Sequence, residues 1–176
     1  MLTNQFNTVL KNFVGGTSFL FKKVSGGSTT ITIPTSRYNS NFYYNVHDNM
    51  VRIPWIMSKG VRVSNIGDSS DGGVYFGGGN TEPTANDYNL AEPLTLSSCT
   101  VTKNITQSGN TVTGVFNIVN NSTVDYTIAE VGLFGEVPYN DQFEYSYLID
   151  RTVLDNPVTV PANGGIGQVT YTITVS

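Results

Sequence analysis

Charge is what this chain has least of. Only 12% of its 176 residues are Asp, Glu, Lys or Arg, against roughly a quarter in an ordinary soluble domain. It holds one histidine (His47), one cysteine (Cys99) and one tryptophan. A single cysteine excludes an intrachain disulfide, so the fold is not expected to be a stapled secreted module. One His, one Cys and few carboxylates leave little metal-binding material, and a zinc centre needs at least three good ligands. His47-Asp48 is the only histidine with a neighbouring carboxylate, and no Gly-x-Ser-x-Gly elbow accompanies it, so nucleophilic hydrolysis lacks its parts. No stretch approaches the ~18 apolar residues of a membrane span, and Met1-Leu2-Thr3-Asn4-Gln5 carries neither the basic nor the apolar region of a signal peptide. The expectation is synthesis in a cytoplasm, no membrane, no metal and no cofactor. Nucleic acid is not an expected partner either, because phosphate contacts need clustered Lys/Arg and the chain is acidic, with a formal charge of −4.

Solubility rests instead on 22 Thr, 19 Asn and 15 Ser, joined by 18 Gly. Helical surfaces are written in Glu, Lys, Gln and Ala. Thr-faced strands linked by Asn/Gly turns fit this composition better. The few charges are sorted by sign. Residues 1–62 carry seven Lys/Arg against Asp48 alone, whereas residues 63–176 carry Lys103 and Arg151 against twelve acids. The two halves attract, either within one chain or between the basic front of one copy and the acidic body of the next.

One helix is predicted, near the start. Phe6, Val9, Leu10, Phe13 and Val14 fall at i, i+3, i+4, i+7 and i+8, Thr3 or Asn4 can cap the first turn, and Gly15-Gly16 stops it. About three turns are marginal alone, so this apolar face must dock on its own domain or on a neighbouring copy, and it is a candidate subunit interface. Residues 1–16 thus form a helix or arm, followed by one β-domain over 17–176.

Phe19 to Val24 and Thr29 to Ile33 read as a hairpin around Ser25-Gly26-Gly27-Ser28. Runs at 50–57 and 61–66 are strand-like, and 67–93 is a Gly/Asp/Pro-rich crossing with Val74-Tyr75-Phe76 embedded in it. Strands are then expected near 95–106, 111–120, 124–135, 143–153 and 166–176. The last alternates most clearly, with Val169, Tyr171, Ile173 and Val175 on one face. Short strands with frequent turns predict an all-β, antiparallel β-sandwich, jelly-roll-like in its organisation.

Two apparent ligand loops dissolve on inspection. Gly77-Gly78-Gly79 has no following Gly-Lys-Ser/Thr and opens no helix, so it is a turn and not a phosphate cradle. Asp68 and Asp71 lack the further spaced acids of a calcium loop. Tyr38, Phe42, Tyr43 and Tyr44, set among Asn and Ser, form the best candidate contact loop, since rigid aromatics with short polar neighbours suit adaptable recognition, sugar rings included. Packing on its own sandwich or an adjacent subunit explains the same loop. Glu130 and Arg151 are charges inside otherwise apolar strands, and they are predicted to form a structural ion pair that fixes strand register.

Residues 77–90, Gly77-Gly78-Gly79-Asn80-Thr81-Glu82-Pro83-Thr84 to Asp87 and Leu90, resemble the G-x-G-x-T-x-P-T…D…L segment of small structural proteins of tailed bacteriophages. Ile128-Ala129-Glu130-Val131-Gly132-Leu133-Phe134, then Tyr147 to Leu154, Pro157 to Val160 and Val169 to Ile173 are similar to a pattern in the same group. The likeness covers about residues 66–176. It implies a non-enzymatic virion component made in a bacterial host, with copies of itself and other virion proteins as partners, and a tail, collar or head-accessory position. The rivals are a capsid decoration or head-fibre protein, and a receptor- or glycan-binding module using the Tyr-rich loop.

Overall fold

The computed structural model describes residues 3, 4, 6–8, 19–31, 62–64, 66, 67, 72–140 and 143–174. The chain is all-β. Among the described residues the strands are β1 (Phe19–Lys22), β2 (Ser28–Ile31), β3 (Gly73–Gly77), β4 (Cys99–Ser108), β5 (Thr111–Asn120), β6 (Tyr126–Asn140), β7 (Phe143–Val160) and β8 (Gly165–Thr174). They form a β1-β2 hairpin and two antiparallel three-stranded sheets, ordered β3-β6-β7 and β4-β5-β8.

Local sequence explains the hairpins. Ser108 pairs with Thr111 across Gly109-Asn110, and only the glycine takes a positive φ, 57°, which is the type II′ arrangement that follows the twist of paired strands. In β8, Gly167, Val169 and Tyr171 are buried while Gln168, Thr170 and Thr172 are exposed, the period of two that one covered face imposes. The covered faces meet in a core that includes Val74 and Phe76 of β3, Val131 and Leu133 of β6, and Phe116, Ile118 and Val169 opposite. The Phe76 and Phe116 rings join the sheets edge to face, centroids 5.7 Å apart.

The β3-β6-β7 sheet is covered on its other face too. Tyr75, Phe134 and Leu148 point there and pack with Val24 of the hairpin turn, Ile66 and Leu90. Residues 4 and 6–8 are helical. The Phe6 amide donates to Thr3 Oγ1 at 3.2 Å, so Thr3 is the N-cap, and Thr3 also bonds the backbone oxygens of Leu148 and Ile149 on β7.

Three features differ from the sequence-based expectation. Val74-Tyr75-Phe76 is a strand, β3, and not part of a crossing; it is buried throughout and bounded by glycines, so it shows no alternation. Residues 62–64, 66 and 67 are not strand; Arg62 and Val63 make isolated backbone bonds to Val74 and Leu96 instead of a ladder. Strand β7 runs on past Pro157. Ile128 pairs with Val158 and Glu130 with Val153, leaving residues 154–157 as a bulge that accommodates a residue lacking an N–H. The expected strand at 50–57 lies outside the described residues.

Candidate functional site

The densest polar arrangement among the described residues lies on the outer face of the β3-β6-β7 sheet. Glu130 on β6 pairs with Gly77 on one side and Val153 on the other, and its side chain is fully buried. A buried carboxylate is tolerable only if its lone pairs are met. Here all the partners are present. Oε1 accepts from the backbone N–H of Gly79 (3.2 Å) and Glu92 (2.8 Å), and Oε2 from that of Ala91 (3.1 Å) and from Arg151 Nε (2.6 Å).

Arg151, 3% exposed, directs the rest of its fork into the 77–92 loop. Nη1 donates to Asp87 Oδ2 at 2.8 Å, and Nη2 to the carbonyl and hydroxyl oxygens of Thr81 at 3.0 and 3.1 Å. Asp87 in turn closes a tight turn, accepting from the Thr84 amide (3.0 Å) and hydroxyl (2.7 Å). Burial alone would raise the Asp87 pKa, but the Thr84 bonds and the Arg151 guanidinium outweigh it and hold the carboxyl below its ordinary value. For Arg151, burial works against the charge, and the bonds to Glu130 and Asp87 overcome it, so its pKa is raised.

Glycine is required beneath this network. A Cβ on Gly77 would overlap the Glu130 carboxylate, and one on Gly79 would lie 2.6 Å from Ala91 Cβ and 2.7 Å from Glu130 Oε1. The loop itself is stitched to the edge of β3 by Gly78 N–H to Glu92 O and Leu94 N–H to Phe76 O. The whole is a clasp that pins 77–94 over a sheet.

The Glu130–Arg151 pair therefore exists on adjacent strands, with a wider reach than register alone. An arginine offers five N–H donors, and one carboxylate meets only part of them; that deficit is the sequence signal that points to further acceptors such as Thr81 and Asp87. The amides of Gly79, Ala91 and Glu92 leave no such signal. Sequence reading also missed Asn120, wholly buried, whose amide donates to the Val124 and Val160 oxygens at 2.8 and 3.0 Å and whose Oδ1 accepts from Ser122. It missed Asp150, which accepts from the buried Tyr171 hydroxyl.

Of the candidate interface residues, Phe6 is half-buried against the chain's own core. Val9, Leu10, Phe13 and Val14 lie outside the described residues, as do Tyr38, Phe42, Tyr43, Tyr44, His47, Asp68 and Asp71. Lys22 and Lys23 of the basic front stand over the rings of Tyr88 and Tyr145 at 4.0 and 4.6 Å, so both meet the acidic part of their own chain. Burial pushes the Cys99 thiol up, away from the reactive thiolate. Beside the clasp, Asn4, Thr8, Lys22, Ser28 and Asn86 line an open groove of about 400 Å³. Asn4 spans one wall, bonding the Ala85 carbonyl and the Asn86 side chain. Among the described residues no group of three His, Cys, Asp or Glu side chains is placed to hold a metal ion, and no helix is long and apolar enough to cross a membrane.

No protein family, no curated protein and no solved structure matches the chain.

Proposed function

We propose that this chain is a non-enzymatic structural subunit of a tailed-bacteriophage particle, associated with the tail and assembled through contacts with copies of itself and with other virion proteins. The observation that carries this reading is the convergence of the two resembling segments. Gly77, Gly79, Thr81, Asp87 and Leu90 come from the first, Glu130 and Arg151 from the second, and all but Leu90 belong to the one clasp. Leu90 packs beside it on the same face of the sheet. That residues of both segments meet in one three-dimensional unit is what supports the reading.

The clasp is a support. Its carboxylates are committed to backbone amides, the Thr84 hydroxyl and one guanidinium, which suits a rigid building block better than a reacting centre. Low surface charge fits the same role, since every charge covered by a neighbouring subunit costs desolvation.

The test is to purify intact phage particles made with the chain and measure its copy number relative to the major shell protein, then locate it in a reconstructed particle. A fixed stoichiometry with density in the tail supports the reading. Density on the head shell replaces the tail position with a decoration or head-fibre role. A chain present in lysates but absent from washed particles overturns the proposal.

A further inference from the structure

The edges of the two sheets are treated unequally. The far edge of β3 is taken by residues 92–94, and β7 bonds Thr3 and breaks its line with the Pro157 bulge. Strand β8 lies against β7. Strand β4 ends its sheet, and among the described residues no strand pairs with its outer edge. It runs ten residues against β5 without a register shift. From Thr102 to Ser108 every residue is exposed. Proteins usually guard such an edge with proline, a bulge, several charges or short length. This one has a single charge, Lys103.

We propose that β4 is a self-association edge, at which two copies of this chain pair antiparallel and join their sheets into one of six strands. Overlap, parity and charge select the register, since only axes at Lys103 and Asn104 pair nine of the ten residues of β4. A two-fold axis normal to the sheet keeps the core-facing side of each copy on the same side, so opposing residues must share a face and the axis must pass through a residue. Centring on Lys103 sets two ammonium groups directly opposite, which is unfavourable. Centring on Asn104 places Lys103 opposite the partner's Ile105, Thr102 opposite the partner's Thr106, and Asn104 opposite the partner's Asn104. It extends the outward Thr pairing already present at Thr111–Thr174 (3.1 Å) and Thr113–Thr172 (3.3 Å). No Asp or Glu lies in β4, β5 or β8, so two acidic molecules meet here without opposing acids.

Nine paired residues span about 30 Å. A single strand edge of that length covers on the order of 400 Å² per copy, half of a standard interface, so the association is weak and concentration-dependent. The virion reading names no surface, and this pairing stands or falls on the isolated protein.

Sedimentation from about 10 µM to about 1 mM tests it. Wild type should pass from monomer to dimer. Ile105→Lys adds an ammonium opposite Lys103 and should weaken the dimer about tenfold, whereas Ile105→Glu adds a carboxylate there and should tighten it by a similar factor. Ile105 is 39% exposed, and circular dichroism checks that both variants fold. In a Cys99→Ser background, Asn104→Cys should form a covalent dimer on mild oxidation and Asn110→Cys in the turn should not. A wild type that stays monomeric throughout overturns the proposal, and so does equal weakening by both substitutions at Ile105 or crosslinking at Asn110 but not at Asn104.

Discussion

The two sheets of this sandwich handle polarity in opposite ways. The β3-β6-β7 sheet is covered on both faces; its buried Glu130 and Arg151 are gathered into a clasp where each acceptor of Glu130 and most donors of Arg151 are met, while buried Asp150 is held by the Tyr171 hydroxyl. The β4-β5-β8 sheet has one covered face and one made of Thr, Asn, Gln, Ser, Val and Ile, with no charge on it. One sheet holds a loop by concentrating charge. The other keeps its open face soluble with hydroxyls and amides, which are cheaper to cover than ions.

The sharpest way to break this contrast is Arg151→Met. It leaves the Glu130 carboxyl buried without its guanidinium partner, so unfolding in urea should show a loss of about 3–5 kcal/mol. An unchanged midpoint would make the pair incidental. Gly77→Ala comes next, since the new methyl must displace the Glu130 carboxylate; a loss of about 1–3 kcal/mol by thermal melting is expected. Asp87→Asn should cost about 1 kcal/mol at neutral pH, because Asp87 is partly exposed and its charge partly screened. It also carries a pH signature. The folded Asp87 pKa is depressed below its ordinary 3.8, so its contribution is complete above that value and is lost as pH falls through the lower folded value. Melts of wild type and Asp87→Asn should therefore converge below about pH 4. On the other sheet, Thr172→Val removes an exposed cross-strand contact with Thr113 and should change stability by less than about 0.5 kcal/mol.

Much of the architecture is legible in the residues, and the reasons are local. Strand β8 announces itself by alternation, the β4–β5 turn by Gly109-Asn110, and the ion pair by two charges stranded in apolar runs. Strand β3 stays hidden because burial on both faces removes alternation and its flanking glycines imitate a loop. The reach of β7 is masked by Pro157, which a bulge absorbs. The purpose of 77–92 is the least legible feature. Its turn chemistry is plain, but its destination depends on backbone amides meeting a side chain some forty to fifty positions away.

The central claim is that Glu130 and Arg151 hold this loop in place. Amide hydrogen exchange at Gly79, Ala91 and Glu92, compared between wild type and Glu130→Gln, tests it most directly. Replacing one carboxyl oxygen acceptor with an amide NH2 should speed exchange at these amides by about tenfold or more while the β4–β5 ladder keeps its protection. Equal protection of all three amides in both proteins would contradict the account.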